Sequence, residues 1–218
     1  MARRGFRSGR ALLAIGALGG LLPGCTTLRV PARIPDFPAG ELVRTSVEQV
    51  ALEAFPVEGR EANWELFDDY LPEIGIAAVW VSVRNDRGAA VDLTGLRWEL
   101  KLGSKVAASL GRDEVLKRFY KGRKVRMYSL AADRSARDAL ERVLFRPGKL
   151  APGARASGFV FLKLDPGQIS SWARNGVLVG RGARLQDGRQ IELRAPLGER
   201  PKRRSGAETS PDFPHADP

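Results

Sequence analysis

Few side chains in this sequence could do covalent chemistry, and they are scattered. There is one cysteine, Cys25, and one histidine, His215, near opposite ends of 218 residues. A thiol is a strong nucleophile only as its thiolate, which a neighbouring base must draw out. His215 lies in a polar, proline-rich end expected to be disordered, so no folded Cys-His or Ser-His-Asp arrangement is expected. The same scarcity excludes zinc sites built on imidazoles or thiolates. Carboxylates remain. Asp68, Asp69 and Glu73 cluster within the 58–73 segment. They could contribute to a calcium site, which needs about six to eight oxygens, or supply the acid of a hydrolase or glycan-active protein. A solvated acidic loop is the preferred reading. No glycine-rich phosphate loop is present, and the expectation is no metal, no cofactor and no catalytic residue.

The surroundings of Cys25 give it a different chemistry. Arg3, Arg4, Arg7 and Arg10 precede the apolar run from Ala11 to Leu22, and Leu22-Pro23-Gly24-Cys25 follows. A basic start and a short apolar stretch are the parts of an export signal. Twelve apolar residues are too few for a bilayer span, which needs about 20. The end of the run resembles the lipobox of bacterial lipoproteins: Leu22 fits the aliphatic position, Gly24 the small one and Cys25 the acceptor. Pro23 departs from the pattern, whose second place usually holds a small residue other than proline. The resemblance implies cleavage before Cys25, a diacylglycerol on its sulfur and an acyl chain on the new amino terminus. Several chains, at about 0.8 kcal/mol per buried methylene, anchor a protein effectively for good. Arg3-Arg4-Gly5-Phe6 also resembles a twin-arginine export motif, but Ala2 and Arg7 do not suit it; a plain basic start is preferred.

The implied address is the cell envelope, on the periplasmic side, with the outer membrane favoured over the inner. Losing residues 1–24 removes four arginines and takes the net charge from +11 to +7. That charge is spread over a mixed-sign surface, and no nucleic-acid motif accompanies it. With one cysteine no disulfide can form within the chain, so stability must come from a core. About 150 residues suffice for one domain.

The elements expected around these residues are mostly strands. Pro31, Pro35 and Pro38 favour extended chain, giving a flexible tether over 25–44. A β-domain over 45–197 follows, with a disordered tail over 198–218. A first strand is expected over 46–54, then an irregular polar stretch over 56–73 anchored by Trp64, Phe67 and Tyr70. Val79, Val81 and Val83 alternate, and Leu96, Trp98, Leu100 and Leu102 alternate against Arg97, Glu99 and Lys101, the pattern of a half-buried antiparallel strand. Helices are expected over 112–121 and 134–145, the second with Ala136, Leu140, Val143 and Leu144 on one face. A strand over 158–164 follows, and Asp187-Gly188 between two alternating runs predicts a hairpin whose turn residues both have positive φ. Together these predict a mainly β chain, an immunoglobulin-like antiparallel β-sandwich with one or two inserted short helices.

Leu71-Pro72-Glu73 running into Val79–Val83 and Asn85, and Pro152-Gly153 before Gly158-Phe159-Val160-Phe161, resemble a loose group of uncharacterised bacterial lipoproteins with such a domain. The resemblance implies architecture and address rather than activity. The expected function is therefore a non-enzymatic, lipid-anchored binding or scaffolding module for other envelope proteins. The alternative is an envelope hydrolase or glycan-active protein using Asp or Glu of the 58–73 loop. One motif stays unassigned: Pro35-Asp36-Phe37-Pro38 recurs as Pro211-Asp212-Phe213-Pro214. A proline-framed aromatic is preordered for docking in a groove, although chance recurrence in two proline-rich ends is the preferred reading.

Overall fold

The computed structural model describes residues 28–124 and 130–199. The mainly β expectation holds, and the strands form one antiparallel ten-stranded sheet. In chain order they are β1 (Val43–Val47), β2 (Val50–Val57), β3 (Ile76–Asn85), β4 (Val91–Asp92), β5 (Arg97–Leu102), β6 (Lys105–Leu110), β7 (Lys149–Leu150), β8 (Arg155–Lys163), β9 (Val177–Leu185) and β10 (Gln190–Pro196). The helices are α1 (Arg60–Phe67), α2 (Arg112–Arg123), α3 (Leu130–Val143) and the short α4 (Trp172–Asn175). The pairing runs β1-β2-β3-β8-β6-β5-β9, with β10 and β4 also on β9 and β7 on β4. The sheet curls until β1 lies beside β10. Thr45 Oγ1 donates to Arg194 O at 2.6 Å there, while the backbone ladder stays open between these two strands.

Curling gives the sheet an inside and an outside. Val79, Val81 and Val83 of β3 face Leu52, Trp98, Leu100, Leu178 and Leu193 in an inner core. Ile76, Ala78 and Trp80, the alternate residues of the same strand, join Phe55, Phe159 and Phe161 in an outer core beneath α1, α2 and α3. A strand covered on both faces reads as a nearly unbroken apolar run, and Ile76–Val83 carries no charge. By contrast β5 buries Trp98 and Leu100 and leaves Arg97 exposed, the half-buried pattern its alternation predicts.

Three expectations need correction. The strand expected over 46–54 turns in its middle: Glu48 and Gln49 take φ of 48° and 60°, and β1 doubles back onto β2. Two left-handed residues make a tight turn whose twist suits a hairpin, and neither is the glycine or asparagine that normally signals it. The stretch expected to be irregular holds α1, with Phe67 buried and Trp64 half exposed. At Asp187-Gly188 the hairpin forms, but among the loop residues only Gly188 has positive φ, 84°. Leu185 N donates to Arg189 O at 2.8 Å, and Gly188 N to Leu185 O at 3.0 Å. A three-residue loop ending in a left-handed glycine replaces the expected two-residue turn.

The expected tether is also different where it is described. From Leu28, which is buried, the chain lies along the outer core, and Val30, Ile34 and Phe37 pack against it. The expected signal peptide, and all of the expected tail beyond Glu199, lie outside the described residues.

Candidate functional site

Cys25 and the expected cleavage motif, Leu22, Pro23 and Gly24, lie outside the described residues, as do His215 and Pro211–Pro214. Among the described residues no group of three or more acidic or imidazole side chains is placed to hold a metal ion. No helix there is long and apolar enough to cross a membrane.

The acidic cluster is described, and its carboxylates are ion-paired. Asp69 is buried at the turn after α1. Arg123, from the last turn of α2, grips it with two donors, Nε at 2.9 Å from Oδ2 and Nη2 on Oδ1. The Tyr70 amide also donates to Asp69 Oδ1, at 2.6 Å. Arg123 Nη1 reaches Glu73 Oε2 at 3.3 Å, and Arg60 Nη2 holds the other oxygen at 2.5 Å. Asp68 pairs with Arg29 at 3.4 Å. A two-pronged guanidinium contact fixes a carboxylate in place and occupies its oxygens. What the arrangement does is tie α2 to the connection between α1 and β3.

A second constellation collects residues noted separately in the sequence. Asn85, fully buried at the end of β3, donates through Nδ2 to Ala89 O, Leu150 O and Ala151 O at 2.9, 3.1 and 3.1 Å. Its Oδ1 accepts from the Arg87 amide at 3.0 Å. Gly153 N donates to Asn85 O at 2.7 Å, and Asn85 N to Ala154 O at 3.0 Å. Asn85 and Pro152-Gly153 are thus two halves of one clip joining β3 to the turn before β8. Gly158 has an equally plain reason. A Cβ there would sit 2.5 Å from Phe145 N, because Leu144 crosses as a parallel bridge to Phe159 and Phe145 N donates to Phe159 O at 2.9 Å. Both features are architectural.

Several open clefts lie among the described residues, and two of them carry residues noted in the sequence. One is an open trough of about 620 Å³ lined by Asp92, Thr94, Arg97, Glu99, Arg181 and Arg184. Arg181 is paired there, meeting Glu192 at 2.9 Å and Glu99 at 3.2 Å. Arg181 and then Arg194 hold the Glu192 carboxyl below the usual carboxylate range. The Thr94 hydroxyl and amide do the same to Asp92.

The other is an aromatic seat on the outer core. Phe37 stacks on Phe55, with centroids 4.5 Å apart and planes 25° apart. Trp80 lies 5.1 Å from it, and Phe159 meets it edge-on at 6.3 Å. Glu41, Glu61 and Glu65 line the cavity around this motif, of about 430 Å³, together with Ala62 and Leu66. Trp80 Nε1 is buried and has no hydrogen-bond partner among the described residues. Pro35-Asp36-Phe37-Pro38 forms one wall of that cavity, with only Phe37 half-buried. Its prolines signalled extended chain, but nothing local to them revealed the three rings that receive Phe37, which come from β2, β3 and β8.

No family model matches the chain, and no curated protein does. Among solved structures, a functionally unknown protein from Listeria monocytogenes EGD-e aligns with a TM-score of 0.37 at 11% identity, over 70% of this chain and 79% of that one. The putative ApaA protein from Bordetella pertussis gives a TM-score of 0.35 at 12% identity, over 67% of this chain and 87% of that one. Likenesses this distant carry no functional argument.

Proposed function

We propose that the chain is a lipid-anchored protein of the bacterial cell envelope, held at the periplasmic side of a membrane through Cys25. The outer membrane is favoured over the inner. It works without catalysis, as a binding or scaffolding module for other envelope proteins. The observation that carries this reading is the order of residues 1–25: four arginines, an apolar run too short to span, then Leu22-Pro23-Gly24 and the chain's one thiol. The pairing of Asp68, Asp69 and Glu73 with Arg29, Arg60 and Arg123 supports the non-enzymatic part. The immunoglobulin-like sandwich belongs to the same proposal. The inner core shared by the two halves of the curled sheet supports it, and sheet edges or end loops would then meet the partner.

The test replaces Cys25 with Ser in intact cells and follows the protein between membrane and soluble fractions, with a labelled fatty acid to report acylation. The wild type is expected to carry the label and sediment with membranes, and Cys25→Ser to lose both. Unchanged retention of Cys25→Ser would sink the anchor. Crosslinking in the same cells, read by mass spectrometry, is expected to return envelope proteins lost from Cys25→Ser.

A further inference from the structure

The aromatic seat has one described occupant, and the chain carries a second copy of it. The two copies agree beyond four residues. Pro35-Asp36-Phe37-Pro38 is followed by Ala39-Gly40-Glu41, and Pro211-Asp212-Phe213-Pro214 by His215-Ala216-Asp217, so an acid stands three places after the last proline in each. Pro38 precedes a short 3-10 turn over Ala39–Glu41, in which Glu41 N donates to Pro38 O at 2.9 Å. The contact itself is one ring: Phe37 is half-buried, while Pro35, Asp36 and Pro38 are exposed. A hold of that kind is modest, since burying an aromatic side chain contributes about 1.5–3 kcal/mol when complete.

Reach suits the second copy. The described chain ends at Glu199, so Pro211 lies twelve residues further on. Extended chain covers at most about 3.6 Å per residue, which gives a reach of roughly 40 Å. A compact body of this size is roughly 40 Å across. A tether of that length also keeps the segment at an effective concentration far above that of free protein.

We propose that Pro211–Pro214 of the same chain is the alternate occupant of the Phe37 seat, with Phe213 replacing Phe37 between Phe55, Trp80 and Phe159. Residues 35–38 hold the seat by default, because only a few residues separate them from β1 and because Leu28 and Ile34 add contacts. Exchange releases the chain before β1 while keeping the outer core covered. A pull on the amino-terminal segment would then change how far the domain stands from its attachment without exposing three aromatic rings. The seat and the repeat do not depend on lipid attachment, so the exchange stands or falls separately from the anchor.

The test places 4-fluorophenylalanine at position 213 of the full chain and reads its fluorine resonance in the wild type and in Phe37→Ala. The free peptide spanning residues 210–217 marks the unbound position. In the wild type the line is expected near that position. In Phe37→Ala it moves away and broadens, independently of protein concentration, with the bound fraction up about tenfold. Adding Phe55→Ala to Phe37→Ala should return it. Phe37→Leu, a milder change, gives a smaller shift in the same direction if Phe37→Ala does not fold. A line at the free-peptide position in both Phe37 variants would overturn the proposal. So would a shift that grows with protein concentration, because a second copy's tail would then be the occupant.

Discussion

The inner and outer cores share strand β3 and differ in almost everything else. The inner one is mostly aliphatic, built from strands of both halves of the sheet, and closed by covalent neighbours such as the β9–β10 hairpin. The outer one is rich in aromatic rings: Phe55, Phe67, Trp80, Phe119, Phe159 and Phe161. Its cover consists of α1, α2, α3 and the segment from Leu28, none of which is laddered into the sheet apart from the single bridge Leu144–Phe159. Ladders fix a cover by many backbone bonds, whereas packing alone lets one piece lift while the rest stays. The inner core is thus the permanent part of the molecule, and the outer face is the part able to exchange what lies on it.

The largest effect that bears on this contrast is a cavity in the outer core. Phe159→Ala is expected to cost about 3–5 kcal/mol, as much as a large truncation in the inner core, because Phe159 is fully buried under Phe37 and Phe67. Urea unfolding checks this, and a loss under 1 kcal/mol, within ordinary surface scatter of about 0.5 kcal/mol, would mean that the outer core is only a veneer. Next comes Arg123→Ala, which strands buried Asp69 and should cost about 3 kcal/mol. Asp69→Asn with Arg123→Met should recover part of that loss in thermal melts. Recovery marks the pair as architectural.

Asn85→Ala removes the clip between β3 and the turn before β8 and leaves carbonyls without donors. About 2–3 kcal/mol is expected, with faster amide exchange at Gly153 and Ala154. Phe37→Ala follows at about 1–2 kcal/mol, confined to the outer cover. Acid should act least, and on both halves of the molecule, since Arg112 holds the Asp113 carboxyl on α2 below the usual carboxylate range as well. Glu192, Asp187 and Asp92 sit on or beside β4, β9 and β10, and their carboxyls are held below the usual range by Arg181, Arg189 and Thr94 respectively. A carboxylate with a folded pKa below its unfolded one stabilises the fold above the ordinary carboxylate range. That contribution is lost as pH falls through the folded value. Melting temperature should therefore decline on acidification, with the exposed groups contributing little each. A melting temperature that rises on acidification would contradict the assignment.

The same contrast explains how much was legible in the sequence. Period-two alternation exposed β3 and β5, Gly158–Leu164 exposed most of β8, and Ala136, Leu140 and Val143 marked the buried face of α3. These signals are local. The β1–β2 hairpin stayed hidden because Glu48 and Gln49 take left-handed backbone without the usual residue types. Helix α1 stayed hidden because its sequence is charged, with Asn63, Leu66 and Phe67 its buried residues. Trp172, nearly inaccessible in the inner core, belongs to a four-residue helix too short for any periodicity. At the candidate sites, the acids near position 70 and the Pro-Asp-Phe-Pro repeat were visible as residues. Their partners were not: Arg123 lies fifty residues beyond Glu73, and the rings around Phe37 come from three separate strands.

Native-state hydrogen exchange, followed residue by residue in the wild type and in Phe37→Ala, tests the division most directly. Amides of β9, which is laddered to β4, β5 and β10, should exchange only through global unfolding in both proteins. Amides of α1 should exchange through a smaller opening, and Phe37→Ala should speed them more than it speeds β9. Equal opening energies for α1 and β9 in both proteins would contradict the account and make the two cores one cooperative unit.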